Sequence, residues 1–305
     1  MKRLIIVYSP HSTRFDEVEK KVIAKARNLA GWLVCKFEVE EVSVQENAAN
    51  LAKILRKGDL VLSAGGDGTA TMCLNAIMKS GVVATLSVMP FGNFNDYVES
   101  LGRMSFERII RKFEEGRWTD FYPMKIEVDK KHYEYVGMYF TVGLMAEAGR
   151  LFKEPEVRAK LMRARNRMSF SARKLFGWYM RNKRRKDFLP NDLKINNESV
   201  DGIVTDYVAI NGKSMAGVVP SDGWFEQADV FWSGTMRNRS IVRMFVKFVR
   251  ATEGELPGGK TSQDVLKFVK PRDVFVHAEG EGEKLKNVSE VRIVKDGKSL
   301  RVISV

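Results

Sequence analysis

The strand-like run Asp59-Leu60-Val61-Leu62-Ser63-Ala64 stops abruptly at Gly65-Gly66-Asp67-Gly68-Thr69, and this stop constrains the chain more than any other feature. A buried strand that opens into a phosphate cradle is the direct reading. Glycines at 65, 66 and 68 let backbone N–H groups converge on an anion without side-chain obstruction. Asp67 is the odd component, because a carboxylate repels phosphate. It is suited to hold a divalent cation, to hold a ribose or substrate hydroxyl, or to order the loop. From Thr69 to Ile77 the apolar positions fall at helical spacing, so the loop would deliver a phosphate to a helix N-terminus. A plain glycine-rich strand-to-helix turn is the alternative.

The logic recurs at a second strand candidate, Gly81 to Met89, which is ended by Pro90-Phe91-Gly92-Asn93-Phe94-Asn95-Asp96. In an open parallel sheet ligands sit beyond the carboxyl ends of the strands, so two polar glycine-bearing loops there mark one shared crevice.

Taken together, the Gly65-to-Thr69 loop, a strand, and Pro90-x-Gly92-x-x-Asn95-Asp96 resemble the diacylglycerol kinase catalytic family, which includes bacterial lipid kinases and sphingosine kinases. Nicotinamide dinucleotide kinases and phosphofructokinases share the first loop and lack the second in this form. Asn93 stands where the family has threonine, and Thr71-Met72 where it usually has Asn-Glu. The resemblance implies ATP and Mg²⁺ as cofactors, and a lipid hydroxyl, on diacylglycerol or a relative, as acceptor. It implies nucleotide contacts from Gly65, Gly66, Asp67, Gly68, Thr69, Gly92, Asn93, Asn95 and Asp96. Ser9-Pro10-His11-Ser12-Thr13 follows the first strand where the family has Asn-Pro-x-Ser-Gly, keeping the proline and Ser12. His11 could touch phosphate, but a loop histidine beside proline is more often simply exposed.

Phosphoryl transfer needs a metal to neutralise developing charge and a group to accept the attacking hydroxyl's proton. Ala278-Glu279-Gly280-Glu281-Gly282-Glu283 resembles the family's Asp-Gly-Glu motif, with Glu279 in the aspartate's place and Glu281 as the general base. Glu279 is the second choice for the base, or a metal ligand. An acidic hairpin tip is the plain alternative. Val219-Pro220-Ser221-Asp222-Gly223-Trp224 is similar to the family's Mg²⁺ site, with Asp222 and the carbonyls of Val219 and Trp224 as ligands. As an Asp-Gly turn it has equal claim.

Composition is compatible with an enzyme of two domains. The chain has 305 residues and 44% apolar content. Cys35 and Cys73 form no metal or redox spacing, which fits packing roles in a reducing cytoplasm. Met1-Lys2-Arg3 before Leu4 to Tyr8 imitates a signal peptide, but the run is too short and is read as the first strand. No apolar run approaches bilayer-spanning length, so membrane contact would be peripheral.

Net charge is +13, and the segment from Arg158 to Lys186 holds twelve Lys or Arg and no acid. Leu161, Ala164, Met168, Leu175 and Trp178 fall at helical spacing within it, with Phe176, Tyr179 and Met180 beside them. This is a basic amphipathic helix, whole or broken. It is read as a helix packed on its own domain with a solvated basic face, or as a surface for anionic membranes. Nucleic acid is a third reading and is not expected, since no reading module accompanies the charge. The expected partners are thus a lipid substrate and a membrane surface. Homodimerisation stays open.

Alternating strand and helix signals up to residue 122 argue for an α/β N-terminal domain with a parallel sheet. They comprise strands at Leu4 to Tyr8 and Leu33 to Val42, and helices at about Phe15 to Leu29, Asn47 to Arg56 and Ser105 to Glu114. Residues 123–305 read as a β-rich, sandwich-like C-terminal domain with the basic helical insertion at about 155–187. Its strand candidates include Tyr133 to Val142, Ser199 to Ile210 and Val274 to His277, with hairpin turns at Val128 to Tyr133 and Val294 to Ser299. The last strand is a candidate to pack back on the first domain. A soluble-metabolite kinase nearer the dinucleotide kinases, and a relative that binds without catalysis, remain as alternative functions.

Overall fold

The computed structural model describes the chain apart from residues 11–13, 93–94, 165–166, 183–192, 201–203, 216–218, 238–257 and 280. In chain order the strands are β1 (Lys2–Tyr8), β2 (Trp32–Glu38), β3 (Leu60–Gly65), β4 (Thr85–Pro90), β5 (Thr119–Phe121), β6 (Met124–Val128), β7 (Lys131–Val136), β8 (Tyr139–Gly143) and β9 (Leu193–Ile195). They continue as β10 (Glu198–Ser199), β11 (Val204–Ile210), β12 (Ser214–Met215), β13 (Val219–Pro220), β14 (Phe231–Arg237), β15 (Gly258–Thr261), β16 (Gln263–Ala278), β17 (Glu281–Val294) and β18 (Leu300–Val302).

The first sheet runs β2-β1-β3-β4-β18-β5, parallel throughout except for β5. Its central strands are apolar on both faces, as a sheet covered by helices on both sides requires. Leu4, Ile6, Leu60 and Leu62 face a core built with the helical stretch 15–27 and the Phe106–Glu114 helix. Ile5, Val7 and Val61 face the opposite core, with the helices Val44–Ile54, Asp67–Ser80 and Asp96–Leu101. The helix expected from Asn47 starts earlier because the Ser43 hydroxyl accepts the Glu46 N–H at 3.1 Å, a cap at the third position.

The second sheet is antiparallel, in the order β15-β14-β11-β8-β16-β17-β6-β7, with β9 and β10 joined to it through β16. The β16–β17 ribbon dominates it and is irregular between Lys267 and Arg272. One end of β16 therefore pairs with β8 and the other with β9. Phe140, Val142, Tyr207, Phe231, Leu266, Val276 and Ile293 fill the core.

Three expectations are corrected. The strand read through Tyr133 to Val142 is two strands, broken at Gly137-Met138, where the Met138 carbonyl accepts the N–H groups of Asn211 and Gly212. A Cβ on Gly137 would run into the Tyr97 hydroxyl, so the break is where the second sheet meets the Asp96–Leu101 helix. Ser199 to Ile210 likewise divides into β10 and β11. Val294 to Ser299 is not a hairpin. It carries the chain out of β17 in the second sheet and into β18, between β4 and β5 of the first. The turn at Asp129-Lys130 is a hairpin, with both residues at positive φ as a tight two-residue turn demands.

Candidate active site

The loops that leave β1, β3 and β4 meet at the carboxyl end of the first sheet. Phe91 N–H donates to the Gly65 carbonyl at 3.0 Å. A Cβ on Gly66 would lie 3.1 Å from the Gly92 Cα, and one on Gly65 would strike the Thr69 side chain, so both glycines serve close approach. Arg14 donates to the Pro90 carbonyl at 2.9 Å and stands 5.6 Å from the Phe91 ring, which ties the end of the first loop to the third. Asn95 Nδ2 donates to the Gly92 carbonyl at 3.4 Å. Gly65, Gly66, Asp67, Gly68, Thr69, Gly92, Asn95 and Asp96 thus lie together, and Ser9 and Pro10 extend from the neighbouring β1. His11, Ser12, Thr13 and Asn93 lie outside the described residues.

Asp67 is the first residue of its helix and is buried. Its carboxylate accepts the Tyr97 N–H at 3.3 Å and so caps the Asp96–Leu101 helix. Burial holds the Asp67 carboxyl well above the usual carboxylate range, and the charges of Asp96 and Glu279 push the same way while the Tyr97 N–H opposes. Asp96 is buried too, with the Ser214 hydroxyl donating to it at 2.7 Å. Two carboxylates sequestered together beside a glycine cradle form a place that a cation would relieve.

Asp67, Thr71 and Asn75 fall at four-residue intervals on one face of the Asp67–Ser80 helix, and that face is the seam with the second sheet. Asn75 exchanges two hydrogen bonds of 2.8 Å with the Tyr135 backbone of β7. Thr71 donates to Glu279. Glu279 has no exposed surface and also accepts from the Tyr97 hydroxyl (2.8 Å) and the Met138 N–H. Burial pushes the Glu279 carboxyl up to about 7, against the donors Thr71, Met138 and Tyr97; Asp96 adds a smaller push. Its φ of +47° shows that the chain accepts an unfavourable backbone to seat it. Glu279 is therefore a positioning residue for the seam. Glu281 opens β17, opposite Ala278, and its side chain lies outside the described residues.

The Glu279 environment sets a pH dependence. Its folded-state pKa lies above the ordinary value of 4.5, so its stabilising contribution is full below pH 4.5 and is lost as pH rises through about 7. Wild type should thus lose on the order of 3 kcal/mol relative to Glu279→Gln across that window. Urea denaturation of both proteins at the two ends measures it; parallel pH profiles would refute it.

The expected metal residues lie elsewhere. Asp222 is exposed, Val219 lies in β13, and the Trp224 carbonyl accepts from Lys295 Nζ. Among the described residues no group of three or more His, Cys, Asp or Glu is arranged to hold a metal ion. The sequence reading did not single out Tyr97, Met138, Ser214 or Lys295. Tyr97 could have been flagged as the residue after Asp96, whereas nothing local marks the other three.

Two sheets joined at a polar helix seam, with glycine loops gathered beyond the parallel one, define an α/β unit coupled to a β-rich partner. Residues 3–126 match the family model of the diacylglycerol kinase catalytic domain, which bears out the resemblance drawn from the motifs. A diacylglycerol kinase of Bacillus subtilis (strain 168) is 34% identical over 104 residues, and the match spans 33% of this chain and about a third (34%) of that protein's length. A diacylglycerol kinase structure from Bacillus anthracis strain Sterne superposes with a TM-score of 0.66 at 16% identity, covering 100% of this chain and 97% of that one. Another solved chain from the same organism gives 0.66 at 17% identity with the same coverage. At these identities the likeness is one of fold.

Proposed function

We propose that this protein is an ATP- and Mg²⁺-dependent lipid kinase that phosphorylates the hydroxyl of diacylglycerol or a related lipid. The observation that carries the reading is the meeting of the Gly65-to-Thr69 and Pro90-to-Asp96 loops around the buried pair Asp67 and Asp96. ATP phosphates would lie on Gly65–Thr69, flanked by Gly92, Asn93, Asn95 and Asp96, with Ser9 to Thr13 at the nucleotide's other side. Residues 1–122, completed by β18, then serve as the nucleotide domain and the rest of 123–305 as the lipid domain, the lipid approaching between them. Mg²⁺ held at Asp67 and Asp96 would neutralise charge on the transferring phosphoryl group. Glu281 accepts the hydroxyl proton as the lipid oxygen takes the γ-phosphoryl group and ADP departs. Glu279, already saturated with donors, is less suited to that step.

The direct test incubates the protein with γ-labelled ATP, Mg²⁺ and vesicles of extracted lipids, then separates organic from aqueous phases, with Asp67→Ala as control. Asp67-dependent label in the organic phase is expected. Label confined to a water-soluble acceptor, or ATP binding with no transfer, would replace this reading by a soluble-metabolite kinase or a non-catalytic relative.

The basic segment is proposed as the contact with anionic membranes. Its described residues lie in two helices, Pro155–Arg163 and Arg167–Asn182, the first ending where Ala164 turns extended. Leu161 is buried, and Leu175 and Trp178 pack on the first core, so the segment is anchored. Phe176 and Met180 are exposed one turn apart, among exposed Arg173, Lys174 and Arg181. Each basic residue near an anionic surface contributes roughly 1 kcal/mol. Binding to vesicles containing anionic lipid should therefore weaken about tenfold in a Phe176→Ser/Met180→Ser protein and fall steeply with salt. Equal sedimentation with neutral and anionic vesicles would refute it. Among the described residues no helix is long and apolar enough to cross a membrane.

A further inference from the structure

One loop, residues 221–227, is bonded to both places where the chain passes between the sheets. At the first passage the Tyr122 N–H donates to the Phe225 carbonyl at 2.7 Å, and the Phe225 ring stacks on Phe121 at 5.5 Å. Asn211 Nδ2 donates to the Tyr122 carbonyl at 3.0 Å, and the Trp224 N–H donates to the Asn211 carbonyl at 2.6 Å. At the second passage Lys295 follows the end of β17. Its Nζ turns inward and donates to the carbonyls of Trp224 (2.5 Å) and Gln227 (2.6 Å), with 6% of the residue exposed.

The Trp224 carbonyl is one of the three groups that the family resemblance offers to Mg²⁺. That oxygen already holds an ammonium. A divalent ion bound to it at about 2.1 Å would be forced within roughly 4–5 Å of the Lys295 charge, with the exposed Asp222 as the one carboxylate among the three offered ligands to offset the repulsion. Lys260 Nζ, 4.3 Å over the Trp224 ring, adds a second cation. Burial draws the Lys295 ammonium down to about 7, whereas Asp229 opposes this and two carbonyls, which only accept, favour the charged form.

We infer that Lys295 is an internal cation that replaces a divalent metal at the Asp222–Trp224 loop and clamps the two inter-sheet passages without one. The residues therefore do not fit Mg²⁺ at this place, and the inference is independent of the kinase reading.

The test uses the full chain without nucleotide. Mn²⁺ titration followed by electron paramagnetic resonance is expected to show no site tighter than about 1 mM that disappears in Asp222→Asn, and MgCl₂ is expected to shift the melting temperatures of wild type and Asp222→Asn equally. An Asp222-dependent Mn²⁺ site in wild type would overturn the inference, and this arm needs no Lys295 variant to fold. Lys295→Gln is expected to melt at least about 5 °C lower. A Lys295→Gln protein with the wild-type melting temperature would also overturn it.

Discussion

The Asp67→Ala protein is expected to fold, to bind ATP, and to transfer phosphoryl groups at least about a thousandfold more slowly than wild type. Asp67 stands where the glycine loop becomes helix, buried against Asp96 and close to the seam. Its carboxyl is held above the usual range by that burial, so a cation arriving with the nucleotide would be met by a group whose ionised form it stabilises. The alanine removes that charge. It also removes the acceptor for the Tyr97 N–H, a cap worth about 1 kcal/mol, which leaves the fold standing. Single-turnover transfer, nucleotide affinity and a melting curve on one preparation separate the two losses. Full turnover in the variant would remove the catalytic assignment and leave Asp67 as a cap alone.

The two glutamates of the β16–β17 turn should fail in opposite ways. Glu281→Gln is expected to lower kcat by about 10² to 10⁴ with stability unchanged, the cost of losing a general base. Glu279→Ala is expected to destabilise the protein by roughly 3–5 kcal/mol, because Thr71, Tyr97 and the Met138 N–H all lose a buried acceptor. Urea denaturation and kcat measured on both proteins decide the matter. If Glu281→Gln keeps full rate while a stably folded Glu279→Gln loses it, the base is Glu279.

The parts of the site built from contiguous residues were legible in the sequence. The Gly65-to-Thr69 and Pro90-to-Asp96 loops each follow a buried strand, and a parallel sheet places such strand ends side by side. The role of Glu279 was hidden because its partners Thr71 and Tyr97 lie in two helices and Met138 in the break between β7 and β8. The break at Gly137 was equally hidden: the apolar run through it continues, and only the Tyr97 hydroxyl pressing on that glycine explains the interruption. Asp296-Gly297 reads as a hairpin turn because turn chemistry is local, whereas what β18 pairs with is decided by the open edge of β4.

The insertion of β18 into the first sheet also bears on how the protein is made. Arg301 pairs with both Thr85 of β4 and Asp120 of β5, so among the described residues β5 joins the sheet through a strand that follows the β-rich half in sequence. Nascent chains ordinarily complete their N-terminal unit first. Here that unit stays unfinished, with the flank of β4 uncovered, until the ribosome has delivered the entire β-rich half, and both halves mature together.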